Sequence, residues 1–198
     1  MANDSLQTDP TSNRPADHQT DGQAEVHQAR WYALKVFHNK SMRLETELTE
    51  NLSMECYLPK KEVIKLNAEG KQTSRTVPAV TGLLFVHIAD SSLAELRRRI
   101  EGQALLYSDT HGRPAVIPQR EMTMFRLVTS SGDQGLEYLP EASEKFAVGQ
   151  LVRVTGGPFE GAEGHICRIR GNRRLIVMIH GVCAVATSYV PACFIQKL

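Results

Sequence analysis

Between Trp31 and Val128 the apolar residues repeatedly switch period, and that switching limits the folds open to this 198-residue chain more than any other feature. WYALKVF (31–37) alternates and is rich in aromatic and branched residues, as a strand requires, and His38-Asn39 breaks it. From Ser41 the leucines Leu44, Leu48 and Leu52 recur every four residues among Arg43, Glu45, Glu47 and Glu50, which predicts an amphipathic helix. MECYLPKKEVIKL (54–66) returns to strand character, with Pro59 imposing an edge position or a bend, and the polar NAEGKQTSR (67–75) reads as a turn or loop. GLLFVHI (82–88) is a continuous apolar run suited to a central buried strand. A second helix follows: Ser92 is its cap, Glu95 completes a capping box, Leu93, Leu96 and Ile100 share a face, and Gly102 terminates it. ALLYSD (104–109) is a short strand, and a last helix runs from Pro118 to about Val128, burying Met122 and Phe125.

Strand, helix, strand, strand, helix, strand is the split β-α-β order, so the fold class is α+β, with a ferredoxin-like domain over residues 31–130. The apolar-poor SSGDQGLEYLPEASEK (130–145) predicts an interdomain linker, 131–145. Beyond it, within 146–198, LVRV (151–154), HICRIR (165–170), LIVMIH (175–180), VCAVAT (182–187) and FIQ (194–196) predict a small five-stranded β-barrel, with Gly171-Asn172 where a tight hairpin belongs.

Charge separates the same regions. Residues 1–30 carry a net −3 and only Leu6 and Val26 as large aliphatics, too little to offset the entropy of ordering, so a disordered tail is expected. Residues 31–145 are balanced, and 146–198 carry a net +4, which permits a nucleic-acid or acidic protein partner without requiring one. No apolar run approaches the ~20 residues of a membrane span, and the amino terminus lacks the basic start and apolar stretch of a secretory signal, so a cytoplasmic location is expected. Cys56, Cys167, Cys183 and Cys193 form no C-x-x-C pair and no histidine falls at zinc spacing, so free thiols, no metal and no cofactor are expected.

The glycine-rich VTGGPFEGAEG (154–164) invites a nucleotide-binding reading, but a phosphate loop needs a lysine and a hydroxyl residue after its last glycine, and His165-Ile166 stand there instead. Neither a G-x-S-x-G context nor a paired carboxylate is present: Glu45 and Glu47, two apart on a helix, point in different directions. A binding protein is expected rather than an enzyme.

VGQLVRVTGGPFEGAEG (148–164) resembles the KOW motif, in which alternating valines lead to Gly-Pro-Phe and a glycine opens the next strand. With WYALKV at the domain start, YLPKKEV, TGLLFVHI and IPQREM following in order, residues 31–198 resemble the NusG family of transcription elongation factors. The resemblance implies a front domain that binds the clamp helices of RNA polymerase through an apolar pocket, with non-template DNA passing nearby. It puts Val80 and Leu83 in that pocket and Met122 and Phe125 behind them. The family usually carries Phe-Pro-x-Tyr where this chain has Val80-Thr81-Gly82-Leu83, so the site keeps its apolar character but not its aromatics. That departure and the tail point to a specialised paralogue, an antiterminator of operons for surface or capsular polysaccharides that suppresses pausing.

Lys40, Arg43, Arg97 and Arg98 map near the surface that specialised relatives use against DNA, although Arg97-Arg98-Arg99 also reads as a solvated helix face. Phe159, at the turn tip, either plugs the barrel or anchors a partner. In the family the partners of this domain include a small-subunit ribosomal protein and termination factor Rho. One relative refolds its KOW domain into a helical hairpin; the β-branched residues and glycines of 151–182 argue against that here. The alternative is a KOW-bearing RNA-binding or ribosome-associated protein with no polymerase contact.

Overall fold

The structure is a computed structural model that describes residues 28–66, 70–139 and 149–198. Most of the expected tail and the later part of the expected linker lie outside the described residues. The front domain contains β1 (Ala29–Val36), α1 (Ser41–Leu52), β2 (Glu55–Tyr57), β3 (Lys60–Leu66), β4 (Gln72–Pro78), β5 (Leu83–Ala89), α2 (Leu93–Ile100), β6 (Ala104–Leu106), β7 (Val116–Ile117) and α3 (Gln119–Thr129). Its sheet runs β2-β5-β1-β6, all antiparallel, with β7 beside β1. That is the expected ferredoxin-like order.

Side chains alternate across a strand, so β1 and β5 each feed two layers. Tyr32, Leu34 and Val36 with Leu84, Val86 and Ile88 meet Leu44, Leu48, Leu96 and Ile100 of α1 and α2. Trp31, Ala33, Leu83 and Phe85 point the other way, to Phe125 and Val128 of α3. Burial on both faces explains why β5 reads as an unbroken apolar run.

Three local expectations change. Residues 54–66 form two strands: the chain leaves the sheet at Leu58-Pro59, where proline has no N–H to donate, so β2 pairs with β5 while β3 pairs with β4. Residues 72–75, expected in a loop, lie in β4, and the β3–β4 ribbon is open to solvent on both faces over most of its length, so no apolar alternation announces it. Ser92 makes no side-chain cap bond, so the capping box is not formed; a 3-10 turn over Asp90–Ser92 leads into α2 instead. Asp90 accepts a hydrogen bond from the Tyr32 hydroxyl at 2.6 Å.

The rear domain holds β8 (Glu137–Leu139), β9 (Gln150–Val154), β10 (Glu163–Ile169), β11 (Asn172–Ile179), β12 (Cys183–Tyr189) and β13 (Ile195–Lys197). Their order is β13-β9-β10-β11-β12-β8. The five later strands are the expected ones. β8 falls inside the stretch expected as linker, where Leu139, Tyr138 and Glu137 pair with Ala184, Val185 and Ala186. The β10–β11 turn is made by Arg170 (φ 51°) and Gly171 (φ 82°), both left-handed as a type I′ turn demands, so Asn172 already belongs to the strand. Gly164 serves close approach: a Cβ there would lie 2.3 Å from the Ile176 carbonyl oxygen.

Candidate functional site

The helical repeat divides the buried part of α3 into two sides. Phe125 meets Phe85 edge-on at a 5.5 Å centroid separation, and the Thr129 hydroxyl hydrogen-bonds Tyr57 of β2, so the side carrying Met122, Phe125 and Thr129 faces the sheet. Arg126, at its margin, sits 5.5 Å from the Trp31 ring centre and 5.2 Å from that of Tyr57. Glu55 fixes it from β2 at 3.1 Å and also holds His87, whose ring stacks on Trp31 at 4.7 Å.

The adjoining side of α3 meets the rear domain. Glu121 hydrogen-bonds His180, the Glu163 backbone N–H contacts the Met124 sulfur at 3.2 Å, and Leu127 lies beside Gly161. Arg120 pairs with Glu163, which Arg153 of β9 also holds at 2.8 Å. Those two guanidiniums, Arg120 first, hold the Glu163 carboxyl below the usual carboxylate range. Leu83, Met122, Phe125 and Val128 thereby join Val177, Ile179, Val182 and Cys183 in one hydrophobic core that crosses between the domains.

Of the residues expected at a partner face, Leu83 is 2% exposed, Met122 and Phe125 are fully covered, and Val80 is half-buried. The structure gathers all four in one cluster, with Met122 and Phe125 underneath. The barrel covers that cluster except along a groove of about 810 Å³, where Val80 and Leu83 face Val182 and Cys183. Phe159 is 2% exposed within the same core and so is closed to a partner in this arrangement; its ring packs inward although its turn is at the surface. Met124, Leu127 and Glu121 escaped the sequence reading. Their only signal was position on the second stripe of α3, where half-apolar spacing looks like an ordinary solvent flank.

Lys40, Arg43, Arg97 and Arg98 are exposed on the α1–α2 layer, on the sheet face away from α3. Arg99 differs from its neighbours: it pairs with Glu47 at 2.6 Å and ties α2 to α1. The four cations share a layer without converging, since Arg43 borders a cleft with Glu47 and Glu50, and Arg97 and Arg98 border another beside Phe37. Among the described residues no cluster of His, Cys, Asp or Glu could hold a metal, and no helix is long and apolar enough to cross a membrane. None of the four cysteines forms a disulfide, and burial pushes the Cys183 thiol up to about 12.

Comparison with known proteins bears on the same two halves. A family model described as transcription termination factor nusG matches residues 29–126. The transcription termination/antitermination protein NusG of Pasteurella multocida (strain Pm70) is 28% identical over 170 residues, covering 77% of this chain and 87% of that protein. A solved structure, described as domain interaction in Thermotoga maritima NusG, aligns with 18% identity and a TM-score of 0.46 over 86% of this chain and 98% of that one. With a NusG domain laid over the ferredoxin-like sheet and the curated relative spanning most of the chain, residues 29–126 form a domain of the NusG family of transcription factors and the chain as a whole is similar to NusG.

Proposed function

We propose that this protein is a transcription elongation factor whose front domain seats the clamp helices of RNA polymerase on Val80, Leu83, Met124 and Leu127, with Met122 and Phe125 as the floor. The observation that carries the reading is that these side chains form one apolar face and that the chain's own barrel lies over it. Covering an apolar side chain is worth about 1.5–3 kcal/mol, whereas an exposed ion pair gives about 0–1 kcal/mol. The barrel is therefore held by apolar contact, the same currency a clamp helix would offer, and the two compete for one surface. Polymerase binding then shifts the chain to an open state, and the freed barrel recruits a small-subunit ribosomal protein or Rho at high effective concentration.

Bridging the polymerase cleft would favour the closed clamp and suppress pausing and termination. Lys40, Arg43, Arg97 and Arg98 stay open to solvent while the polymerase face is covered. That suits a factor that meets a DNA signal before it opens, as an operon-specific antiterminator for surface or capsular polysaccharide genes would. Retention of core RNA polymerase on the immobilised full chain tests this. His180→Ala with Val182→Asp, both on the barrel side, should increase retention, and adding Leu127→Glu should abolish it. Polymerase ignored by both the wild type and the opened variant would overturn the reading.

The alternative, an RNA-binding or ribosome-associated KOW protein, draws on one feature. Arg168 stands directly across from Arg173, with Arg170 in the turn between their strands. Like charges so paired repel unless an anion lies between them. Binding of ribosomes or RNA without polymerase would favour it.

A further inference from the structure

The chain passes from α3 to the edge of the barrel across Ser131, Gly132 and Asp133. Ser130 and Ser131 finish the helix, their N–H groups donating to the Arg126 and Val128 carbonyls at 2.9 and 3.3 Å, and Ser131 Oγ accepts from the Asp133 N–H at 3.3 Å. Asp133 already belongs to the barrel: its carboxylate accepts from the Ser188 N–H of β12 at 3.1 Å and from the Gly135 N–H at 3.0 Å. Then β8 pairs Glu137, Tyr138 and Leu139 with Ala186, Val185 and Ala184, and Glu137 holds Arg174 at 2.9 Å. Gly132, at φ +76°, thus stands alone between the last residue bonded to α3 and the first bonded to β12.

This strap is weakly held by its own ladder. Only three residues pair, glycines at 132 and 135 gain entropy on release, and Pro140, next in sequence, has no N–H with which to lengthen the strand. What holds it besides is packing that draws on both domains. Leu136 and Tyr138 lie against the core shared by α3 and the barrel. Burial first, then nearness to Tyr57 of β2 and Cys183 of β12, raises the Tyr138 hydroxyl above its ordinary value, so the ring stands within reach of both domains. If the domains part, Leu136 and Tyr138 lose the front-domain side of that packing, and a short strand with little packed face is marginal in water. There is room for the strap to move: a cleft of about 520 Å³, lined by Leu136 and Tyr138 with Lys61 and Thr76, separates it from the base of the β3–β4 ribbon.

We propose that Asp133–Leu139 is a latch that sets the length of the interdomain tether and comes off β12 when the domains part. Seated, it ties the barrel to α3 by the four steps from Thr129 to Asp133, at most about 14 Å. Released, it gives the tether the whole of residues 130–149, about 20 residues with a root-mean-square span of about 25 Å. Effective concentration falls as roughly the −3/2 power of tether length, so release makes redocking about tenfold less favourable. Latch and docked core therefore support each other. The device is internal to this chain and does not require the polymerase reading.

Residue-resolved amide hydrogen exchange of the full chain, without polymerase, tests it. Asp133→Ala/Gly135→Val removes the carboxylate and places a side chain where a Cβ alone would lie 2.9 Å from that of Ser188. The Ser188 amide should lose protection and the α3 amides should exchange about tenfold faster, while β9 and β10 keep their protection and show the barrel folded. Asp133→Ala alone should move both in the same direction, and it decides the matter by the same criterion if the double variant unfolds the barrel. In the other direction, Leu127→Arg touches none of the strap's hydrogen bonds and should deprotect Ser188 together with α3. The latch is overturned if the strap variant deprotects Ser188 while α3 keeps its wild-type rate, or if Leu127→Arg frees α3 while Ser188 stays protected. An α3 unmoved by Leu127→Arg but loosened by the strap variant supports the latch and counts against the apolar docking on which the polymerase reading rests.

Discussion

Glu121 of α3 takes both its hydrogen bonds from one residue of the other domain: the His180 backbone N–H donates to Oε2 at 3.0 Å, and His180 Nδ1 lies 2.7 Å from Oε1. The pair couples α3 to the β11–β12 turn. Because the His180 side chain is 71% exposed, the clasp should be worth no more than about 1 kcal/mol. Glu121→Ala should therefore accelerate amide hydrogen exchange in α3 only a few-fold while the melting temperature barely moves. Unchanged exchange would mean that the clasp plays no part in docking.

Apolar contact should matter more. Leu127→Arg puts a charge against the barrel and should separate the domains far more than Glu121→Ala does. Cys183 reports on this, being 1% exposed within the shared core with its thiol pushed up to about 12 by burial. With Cys56, Cys167 and Cys193 replaced by serine, the wild-type background should resist alkylation near neutral pH, and Leu127→Arg should make Cys183 react readily. Equal rates in the two proteins would show that the core around Cys183 does not open between the domains.

Alkaline pH should destabilise the fold. Burial first, then the hydrogen bond to Asp90, raises the Tyr32 hydroxyl from 10.0 to about 12, and burial raises Cys183 from 9.0 to about 12. Both values are higher folded than unfolded. Their stabilisation is thus complete below 9.0 for Cys183 and 10.0 for Tyr32, and is lost as pH rises through about 12. The melting temperature should fall over that window, and Tyr32→Phe should flatten the upper part of the fall. Glu163 has the opposite sign: its carboxyl is held low, so the support it gives Arg120 is present at neutral pH and lost on acidification.

Two glycines of the barrel should differ in their tolerance of alanine. Gly164→Ala drives a Cβ to 2.3 Å from the Ile176 carbonyl, a backbone atom that cannot swing away, and should cost about 1–3 kcal/mol or more. Gly181→Ala meets no atom within 4 Å and pays only for its φ of +73°, about 1–2 kcal/mol. Calorimetric melting that ranked Gly181→Ala as the more damaging would contradict the strand spacing seen between β10 and β11.

Much of the fold was legible because period is local. Leu44, Leu48 and Leu52, or the run from Leu83 to Ile88, declare helix and central strand through neighbours a few residues away, and the barrel strands declare themselves the same way. The polar β4 was hidden, since a ribbon open on both faces leaves no alternation to read. β8 was hidden because three residues in a polar stretch carry no period.

The amino-acid sequence alone determined the α+β class and most of the strands and helices, the apolar character of Val80 and Leu83, and the placement of Met122 and Phe125 inside the core. Only the tertiary structure decided that Met124 and Leu127 belong to that face and that the barrel covers it. The reason is physical: a helix stripe acquires its meaning from the surface it meets, and here that surface lies 39 to 59 residues along the chain, beyond the reach of any local pattern.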